Sequence, residues 1–219
     1  MSRPRLLDLF CGAGGAAMGY HRAGFDVTGV DNRPQPRYPF EFVQADAMSF
    51  PLDGWDAIHA SPPCQDYSRA MRHLTRRVYP RLIEPMLARL AGHVWVLENV
   101  LGAPIPHQTT LDGDYGVELC GTMFGLSIWR HRLFQASFPV SPPRGCNHAV
   151  PPINRNRGKR PGGRSSTRAW REGLGTTWMS TKETDESIPP AYTEYIGAQL
   201  TDHLDATSGH AQRGIRLPA

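Results

Sequence analysis

The stretch Arg5-Leu-Leu-Asp-Leu-Phe-Cys-Gly-Ala-Gly-Gly-Ala-Ala17 decides the fold of this chain. Residues 6–10 are an apolar run, which predicts a strand buried on both faces. Gly12, Gly14 and Ala17 then fit the G-x-G-x-x-G/A turn that joins a strand to a helix and lets the backbone approach a ligand. The stretch therefore predicts the opening strand, turn and helix of a doubly wound α/β sheet.

Two further predicted strands end in acids. Asp26-Val-Thr-Gly-Val30 leads to Asp31, which lies 19 residues beyond Gly12, and residues 41–44 lead to Asp46. A carboxylate at such a strand end suits the ribose hydroxyls of an adenosine-type ligand. Turn, strand and acid in this order favour a nucleoside cofactor, whereas each acid alone is equally typical of a helix cap or a turn.

A cysteine follows the next predicted strand. In Ala60-Ser-Pro-Pro-Cys-Gln-Asp-Tyr-Ser68 the apolar run of residues 55–60 stops at two prolines, which cannot continue a strand ladder. Cys64 is thus expected at the carboxyl end of a strand, where open α/β sheets bind their ligands. It is a candidate nucleophile, because a thiol is partly ionised at neutral pH. The alternative is a small buried hydrophobic residue.

An acid also ends the apolar segment Val94-Trp-Val-Leu-Glu-Asn-Val100. A carboxylate in a hydrophobic strand is costly to bury without a partner, so Glu98 is expected either to face a cleft or to form a structural salt bridge. In a cleft it can accept a hydrogen bond from an exocyclic amine, and when protonated it can donate one to a ring nitrogen.

Taken together, these segments resemble the cytosine-5 DNA methyltransferase family. Residues 8–15 look like the family's cofactor loop, Pro62-Pro-Cys-Gln65 like its catalytic loop, and Glu98-Asn-Val100 like its cytosine-holding motif. Trp129-Arg-His-Arg-Leu-Phe134 resembles the two-arginine strand that follows. The order and approximate spacing hold over residues 5–137.

The resemblance implies S-adenosylmethionine as cofactor and a nucleic-acid cytosine as substrate. It implies catalytic roles for Cys64, Glu98, Arg130 and Arg132, with the arginines holding the base oxygen or a phosphate and lowering the pKa of the thiol. The residues that it implies for cofactor binding are Asp8, Phe10, Cys11, Gly12, Ala13, Gly14, Gly15, Asp31, Asn32, Asp46, Ala47 and Pro62.

The match is partial beyond the catalytic segments. Ile128 stands where the family's two-arginine motif usually begins with glutamine, and the Gly-Asn-Ser-Val motif is absent. Only about 50 residues separate Phe134 from the last helical segment, where the family usually has a long target-recognition region. Residues 188–200 resemble the closing helix of compact methylases found in bacteriophages. The departures affect the expected target sequence more than the chemistry.

Positive charge is concentrated in one part of the chain. Residues 141–175 contain eight Arg and Lys side chains against Glu172, a net +7, whereas the whole chain carries +4. A basic insert on a mildly acidic remainder predicts a site that binds a polyanion, the alternative being a solvated loop. The resemblance implies that this polyanion is duplex DNA with a flipped cytosine. A second basic stretch, residues 69–77, is placed to close over phosphates beside the trapped base. We expect a monomer.

Composition sets further bounds. A chain of 219 residues with 40 % hydrophobic residues suits one α/β domain with a small appendage. It shows no signal peptide and no apolar run near 18 residues, so a cytoplasmic protein without a membrane partner is expected. Four scattered cysteines predict reduced thiols. Cys146-x-His148 offers two metal ligands, but without a second pair no metal site is predicted.

The predicted architecture is a Rossmann-like methyltransferase fold with a small basic second lobe. Residues 1–140 form the catalytic domain with strands near 5–10, 26–30, 41–44, 55–60, 94–98, 115–119 and 131–137, and a helix over 78–90. Residues 141–180 form the reduced recognition lobe, 181–205 hold a helix that returns to the first strand, and 206–219 are expected to be disordered. The resemblance adds an antiparallel hairpin at one sheet edge.

Three other functions fit parts of the sequence. An RNA (tRNA) cytosine-5 methyltransferase would use the same chemistry. A dinucleotide-dependent oxidoreductase fits the glycine turn and Asp31 but gives no role to Cys64 and Glu98. A DNA-binding protein with weak or lost catalysis is favoured by the short lobe and opposed by the intact Cys64 and Glu98.

Overall fold

A computed structural model describes residues 2–64, 67, 80–105, 115–149, 151–153 and 166–213, with side chains as far as residue 207. Gln65, the basic stretch 69–77 and the basic residues 155–164 lie outside the described part of the chain. Predictions on those residues remain predictions.

The described residues form a seven-stranded sheet in the order β3-β2-β1-β4-β5-β7-β6. The first five strands run parallel, while β7 runs antiparallel to both β5 and β6. The α/β fold class and the antiparallel edge pair are thereby confirmed. The strands are β1 Arg5–Leu9, β2 Asp26–Asp31, β3 Glu41–Gln44, β4 Ala57–Ala60, β5 Trp95–Asn99, β6 Tyr115–Leu119 and β7 Arg132–Ala136.

Helices cover both faces of the sheet. They are α1 Gly15–Arg22, α2 Ile83–Leu90, α3 Thr167–Leu174, α4 Thr181–Glu186 and α5 Pro190–Arg213, with a 3₁₀ turn at Gly121–Phe124. The helix predicted over 78–90 begins later, at Ile83, with 78 and 79 outside the described residues. Residues 206–213, predicted to be disordered from their small polar side chains, instead continue α5 to Arg213.

Two hydrophobic clusters sandwich the sheet, one on each face. The first joins α1 and α5 through fully buried Tyr20, Phe25 and Tyr192. The second packs α2, through Ile83 and Met86, against the opposite face of the central strands. Near-continuous burial of β1, β2, β4 and β5 explains why these strands read as apolar runs. Among the described residues, no helix is both long enough and apolar enough to cross a membrane.

The contact between α1 and α5 depends on a residue without a side chain. A Cβ built on Gly19 would lie 2.1 Å from Thr193 Oγ1 and 2.2 Å from the Pro190 carbonyl oxygen. The Thr193 hydroxyl also donates to the Ala16 carbonyl oxygen at 2.8 Å, so the two helices meet backbone to backbone. This contact holds the carboxyl-terminal helix against the helix that opens at the glycine turn.

Gly19→Ala is therefore expected to destabilise the fold by about 1–3 kcal/mol, because the added methyl group meets backbone that cannot rotate away. Urea unfolding followed by circular dichroism measures the change. Gly145→Ala is the matched control, since a Cβ there meets nothing within 4 Å. Equal midpoints for both variants would contradict the close contact.

Candidate active site

The sheet topology brings the predicted catalytic segments to one edge. Residues that follow β1, β4 and β5 lie at the carboxyl ends of parallel strands, which share one edge of the sheet. Because β7 runs antiparallel to β5, with Asn99 opposite Leu133, its first residues lie at that same edge. The glycine turn, Cys64, Glu98 and the two arginines thus come from four strands and meet at one end of the sheet.

The turn after β1 adopts the left-handed backbone that the glycine pattern predicts. Gly12 and Gly14 have φ values of 49° and 83°, and Gly14 caps α1. A Cβ on Gly12 would meet nothing within 4 Å, so the turn borders open space that a ligand can fill. Phe10 also has a positive φ, 58°, which is uncommon for a bulky residue and typical of functional turns.

Of the predicted strand-end acids, Asp31 ends β2 and contacts this turn, and Asp46 follows β3. Asp31 is half-buried, accepts the Gly12 N–H at 3.1 Å and also accepts the Arg33 N–H at 3.0 Å. Asp46 is exposed and accepts the Met48 N–H at 2.9 Å. Both acids therefore serve as turn residues, as the alternative interpretation expected. Each carboxylate keeps lone pairs that a ribose hydroxyl can use.

The other predicted cofactor residues divide by exposure. Asn32 is exposed, Phe10 and Gly12 are half-buried, and the remaining ones are buried: Asp8, Cys11, Ala13, Gly14, Gly15, Ala47 and Pro62. Burial, followed by the nearby charge of Asp31, raises the pKa of Asp8 well above its ordinary value. Asp8 therefore lies beneath the turn as a group that favours its neutral form.

The carboxyl-terminal part of the chain braces the turn, and the contribution of Trp178 was not indicated by the sequence. The indole N–H of Trp178 donates to the Ala13 carbonyl oxygen at 2.9 Å. A Cβ on Gly15 would lie 2.6 Å from the Ile188 carbonyl oxygen, so the start of α1 packs closely on the segment before α5. These contacts join the turn after β1 to the segment that leads into α5.

Glu98 is a buried carboxylate with a cationic partner. Its side chain is 8 % exposed, and Arg132 Nε lies 3.1 Å from its Oε1. Burial raises the pKa of Glu98 above its ordinary value, against the opposing effects of Arg132 and a hydrogen bond from Ser61. The two interpretations of Glu98, a salt bridge and a cleft acid, are thus compatible, because the ion pair lies at the edge where the ligand turn opens.

Cys64 is half-buried beside this pair. Burial, then the charge of Glu98, raises the pKa of the Cys64 thiol, while Arg132 and Arg130 lower it by less. The prediction that the arginines lower the pKa of the thiol holds for their own effect and is wrong for the balance. Without a ligand the thiol is therefore favoured in its neutral form.

A buried hydrogen-bond chain reaches Glu98 from the core. Tyr20 OH lies 3.0 Å from His59 Nδ1, and His59 Nε2 lies 2.9 Å from Ser61 Oγ, which bonds Glu98. Burial lowers the pKa of His59 to about 3, so the ring is neutral and can accept at one nitrogen and donate at the other. Sequence analysis missed these residues, because an apolar strand with one histidine gives no sign of what its side chain meets.

Arg130 is held by a backbone oxygen at its side chain and by a tyrosine hydroxyl at its own carbonyl, and its Nε–H has no acceptor among the described residues. Its Nη2 donates to the Asp185 carbonyl oxygen at 2.7 Å, and its own carbonyl oxygen accepts a short hydrogen bond from the Tyr192 hydroxyl. Among the described residues no acceptor meets Arg130 Nε, which is buried. A buried guanidinium N–H without an acceptor is suited to a substrate oxygen.

Asn99 fixes the catalytic loop. Its side chain is fully buried, and its Nδ2 donates to the Pro62 carbonyl oxygen at 2.8 Å. Since Pro62 precedes Cys64 by two residues, this bond ties the loop that carries the thiol to the strand that carries Glu98. The predicted cofactor residue Pro62 is buried and has this positioning role in the described structure.

The structure also changes the basis on which no metal site was predicted. Cys120 and His131 lie beside Cys146 and His148. In the sequence, Cys120 and His131 are 11 residues apart, and His131 precedes Cys146 by 15 residues. Their ligand atoms all lie within 4.8 Å of one another. The second pair that the sequence pattern lacked is supplied by the β6–β7 edge of the sheet.

Comparison with known proteins gives a fold and no family. No protein-family model and no curated protein matches this sequence. A protein assigned as a DNA modification methyltransferase, encoded within an E. coli prophage, matches at TM-score 0.60 with 16 % identity, over 92 % of this chain and 99 % of its own. Dnmt2 methyltransferase of S. pombe matches at TM-score 0.61 with 12 % identity, over the same shares of the two chains.

A third solved structure agrees with these two. The Entamoeba histolytica methyltransferase EhMeth matches at TM-score 0.60 with 10 % identity, over 93 % of this chain and 99 % of its own. At such identities the likeness concerns the fold. The chain has the α/β fold of methyltransferases over nearly its whole length.

Proposed function

We propose that this protein is an S-adenosylmethionine-dependent DNA cytosine-5 methyltransferase. One observation carries the proposal: Cys64, the Glu98–Arg132 ion pair and Arg130 meet at the sheet edge onto which the Gly12 turn opens. Hydride transfer does not require a thiol beside a buried acid and two guanidinium groups. This arrangement suits attack on a polar aromatic ring.

The chemistry follows from the low reactivity of cytosine carbon 5. Attack of the Cys64 thiolate on carbon 6 forms a carbon–sulfur bond, breaks the aromaticity of the ring and makes carbon 5 enamine-like. Carbon 5 then takes the methyl group, and loss of its proton expels Cys64 and restores the ring. Since the thiol is neutral in the free site, substrate binding has to favour its ionisation.

Glu98 and the arginines accommodate the charge that this attack creates. Protonated Glu98, or a proton that it shares with ring nitrogen 3, neutralises the negative charge that develops on the ring. The raised pKa of Glu98 favours the protonated form required for this role. The unused Arg130 Nε–H is available for the base oxygen or for an adjacent phosphate.

The residues around the glycine turn fit the implied cofactor. Open space beside Gly12 admits a ligand, and the carboxylates of Asp31 and Asp46 offer acceptors for ribose and adenosine contacts. When bound, S-adenosylmethionine supplies a methyl group on a sulfonium. Trp178 and the Ile188 segment hold the turn in its left-handed form from behind.

The DNA contact rests on residues of the insert and of the catalytic loop. Of the described basic residues of the insert, Arg168 pairs with Glu172 at 2.7 Å and Arg171 donates to the Met179 carbonyl oxygen at 3.2 Å. Arg144 is exposed. We therefore expect most of the phosphate contacts of the insert to come from Arg155, Arg157, Lys159, Arg160 and Arg164.

Bisulfite sequencing tests the proposed function. DNA and RNA are taken from cells that express the chain, beside cells that express Cys64→Ala. New protected cytosines in DNA, absent with the variant, are expected. Protection confined to RNA would indicate an RNA methyltransferase in place of a DNA methyltransferase. Protection in neither polymer would contradict the proposed cytosine-5 methyltransferase activity.

Asp31→Ala is expected to weaken S-adenosylhomocysteine binding by about 10- to 100-fold, because hydrogen bonds to a charged group contribute roughly 1.5–3 kcal/mol. Isothermal titration calorimetry measures the affinity. Asp26→Ala is the matched control, since Asp26 is exposed at the opposite end of the same strand. Binding of a nicotinamide dinucleotide with no binding of either sulfur ligand would contradict the cofactor assignment.

Replacement of Arg155, Arg157, Lys159 and Arg160 by alanine is expected to weaken DNA binding on every sequence. Each lost phosphate contact removes a log–log salt slope of about −0.9, so the slope should flatten by roughly three to four units. Fluorescence anisotropy at several salt concentrations gives the slope, with unchanged cofactor affinity as the control. Unaltered DNA binding at every salt concentration would indicate that residues 69–77, and not the insert, make the phosphate contacts.

A further inference from the structure

We propose that Cys120, His131, Cys146 and His148 form a structural zinc site that fastens the basic insert to the edge of the sheet. The proposal rests on the geometry of these four side chains and is independent of the proposed enzymatic function. Their ligand atoms, two thiol sulfurs and two imidazole nitrogens, all lie within 4.8 Å of one another.

Strand register creates the first pair. Leu119, the last residue of β6, is opposite Arg132, the first residue of β7. Cys120 directly follows β6 and His131 directly precedes β7, so the same register sets these two residues opposite each other. Glu118 and Cys120 alternate to the same face, as do His131 and Leu133. The ladder therefore sets one thiol and one imidazole side by side at the end of the hairpin.

The loop after β7 returns to supply the second pair. His148 Nε2 lies 3.4 Å from Cys120 Sγ and 3.1 Å from His131 Nε2. The His148 ring stacks on Trp129 with centroids 4.7 Å apart. The loop is fixed at its middle, where the Asn147 N–H donates to Thr122 Oγ1 at 3.1 Å.

These separations suit tetrahedral zinc. Bond lengths of about 2.3 Å to sulfur and 2.0–2.1 Å to nitrogen place neighbouring ligand atoms roughly 3.3–3.8 Å apart. The observed 3.1 and 3.4 Å lie close to that range, and small rotations of the exposed Cys146 and His148 side chains can bring in the rest. Two thiolates and two imidazoles are a ligand set typical of closed, structural zinc sites.

A carboxylate orients one of the imidazoles. Glu118 Oε1 lies 2.5 Å from His131 Nδ1, so the ring donates there and presents the lone pair of Nε2 to the other ligands. Such a carboxylate–histidine pair accompanies most histidine ligands of zinc. A hydrogen-bonded group without metal would give no reason for two imidazole Nε2 atoms and two thiols to point at one place.

The position of the site gives its role. His131 lies between Arg130 and Arg132, and Cys146 and His148 lie at the start of the basic insert, residues 141–175. A zinc ion on these ligands joins the strand that carries both active-site arginines to the segment proposed to grip DNA. All four cysteines are free, so no disulfide makes this connection.

Metal analysis of the full chain tests the site. Protein purified with reductant and without chelator is expected to retain about one zinc per chain, measured by inductively coupled plasma mass spectrometry. The double variant Cys146→Ser, His148→Asn changes two exposed side chains and should lose nearly all of that zinc. Cys64→Ser and His93→Asn, which remove a thiol and an imidazole elsewhere, should retain it.

Cobalt gives an independent readout on the wild-type chain. After removal of zinc, Co²⁺ should produce intense visible bands of a tetrahedral site and a thiolate charge-transfer band, both absent in the double variant. Chelation should lower the melting temperature of the wild type and leave that of the double variant unchanged. The site is overturned by zinc-free reduced protein that gives no cobalt bands, by full zinc retention in the double variant, or by a Cys120–Cys146 disulfide in the protein as isolated.

Discussion

Cys64→Ser is expected to abolish methyl transfer, with a loss of more than about 10⁴-fold, and to leave cofactor affinity nearly unchanged. A serine hydroxyl ionises far less readily than a thiol and is a weaker nucleophile, so the attack on carbon 6 fails. The side chain stands beside the Glu98–Arg132 pair, whereas the predicted cofactor contacts come from the Gly12 turn and its acids, which explains the separation of the two effects. Tritium transfer to DNA and calorimetry measure them.

Covalent trapping tests the same assignment by showing which cysteine bonds to the substrate. A substrate with 5-fluorocytosine leaves no proton for elimination, so the wild-type chain should stay bonded to it through Cys64. Peptide mapping identifies the bonded residue. Full activity of the serine variant, or an adduct on Cys11, Cys120 or Cys146, would refute the assignment.

Glu98→Gln is expected to lower kcat/KM by about 10²- to 10⁴-fold, because an amide cannot supply a proton to ring nitrogen 3. The variant also leaves Arg132 without its anionic partner in a buried place. Glu84→Gln is the matched control, since Glu84 is an exposed glutamate on α2. Activity of the Glu98 variant equal to that of the control would show that the Glu98 carboxyl group takes no part in the reaction.

The two raised pKa values give this prediction a pH signature. The reacting form needs the Cys64 thiolate and protonated Glu98, while the pKa values are raised above 9.0 and above 4.5, respectively. At pH values between these two pKa values, each gain in thiolate with rising pH is offset by an equal loss of protonated Glu98. The kcat/KM of the wild type should therefore be nearly independent of pH in this range. In Glu98→Gln only the thiol titrates, and kcat/KM should rise about tenfold per pH unit. Parallel profiles would contradict the assigned roles.

The strands and the main site residues were predictable because each depends on local sequence. Parallel strands buried on both faces read as apolar runs, and the prolines after residue 60 mark where one of them ends. Cys64 follows β4 and Glu98 lies near the end of the neighbouring β5, so the topology of the sheet brings them together without further information. The glycine turn is likewise a local backbone requirement, met here by positive φ values at Gly12 and Gly14.

What the sequence could not indicate depends on contacts between distant segments. The Trp178–Ala13 hydrogen bond joins residues 165 positions apart, and Trp178 belongs to no recognisable pattern. The partnership of His59 with Tyr20 and Ser61 depends on how α1 lies over β4. The Cys120–His131 pair exists only through the register of β6 and β7.

The packing of α1 on α5 also orders events during synthesis. The helix that opens at the glycine turn is complete at Arg22, whereas the helix that covers it begins at Pro190. Ribosomes add about 5–20 residues per second, so the nascent chain displays the uncovered face of α1 for roughly ten to thirty seconds. The glycine turn is thus among the first parts of the chain to emerge from the ribosome, and the helix that it opens is among the last to be covered.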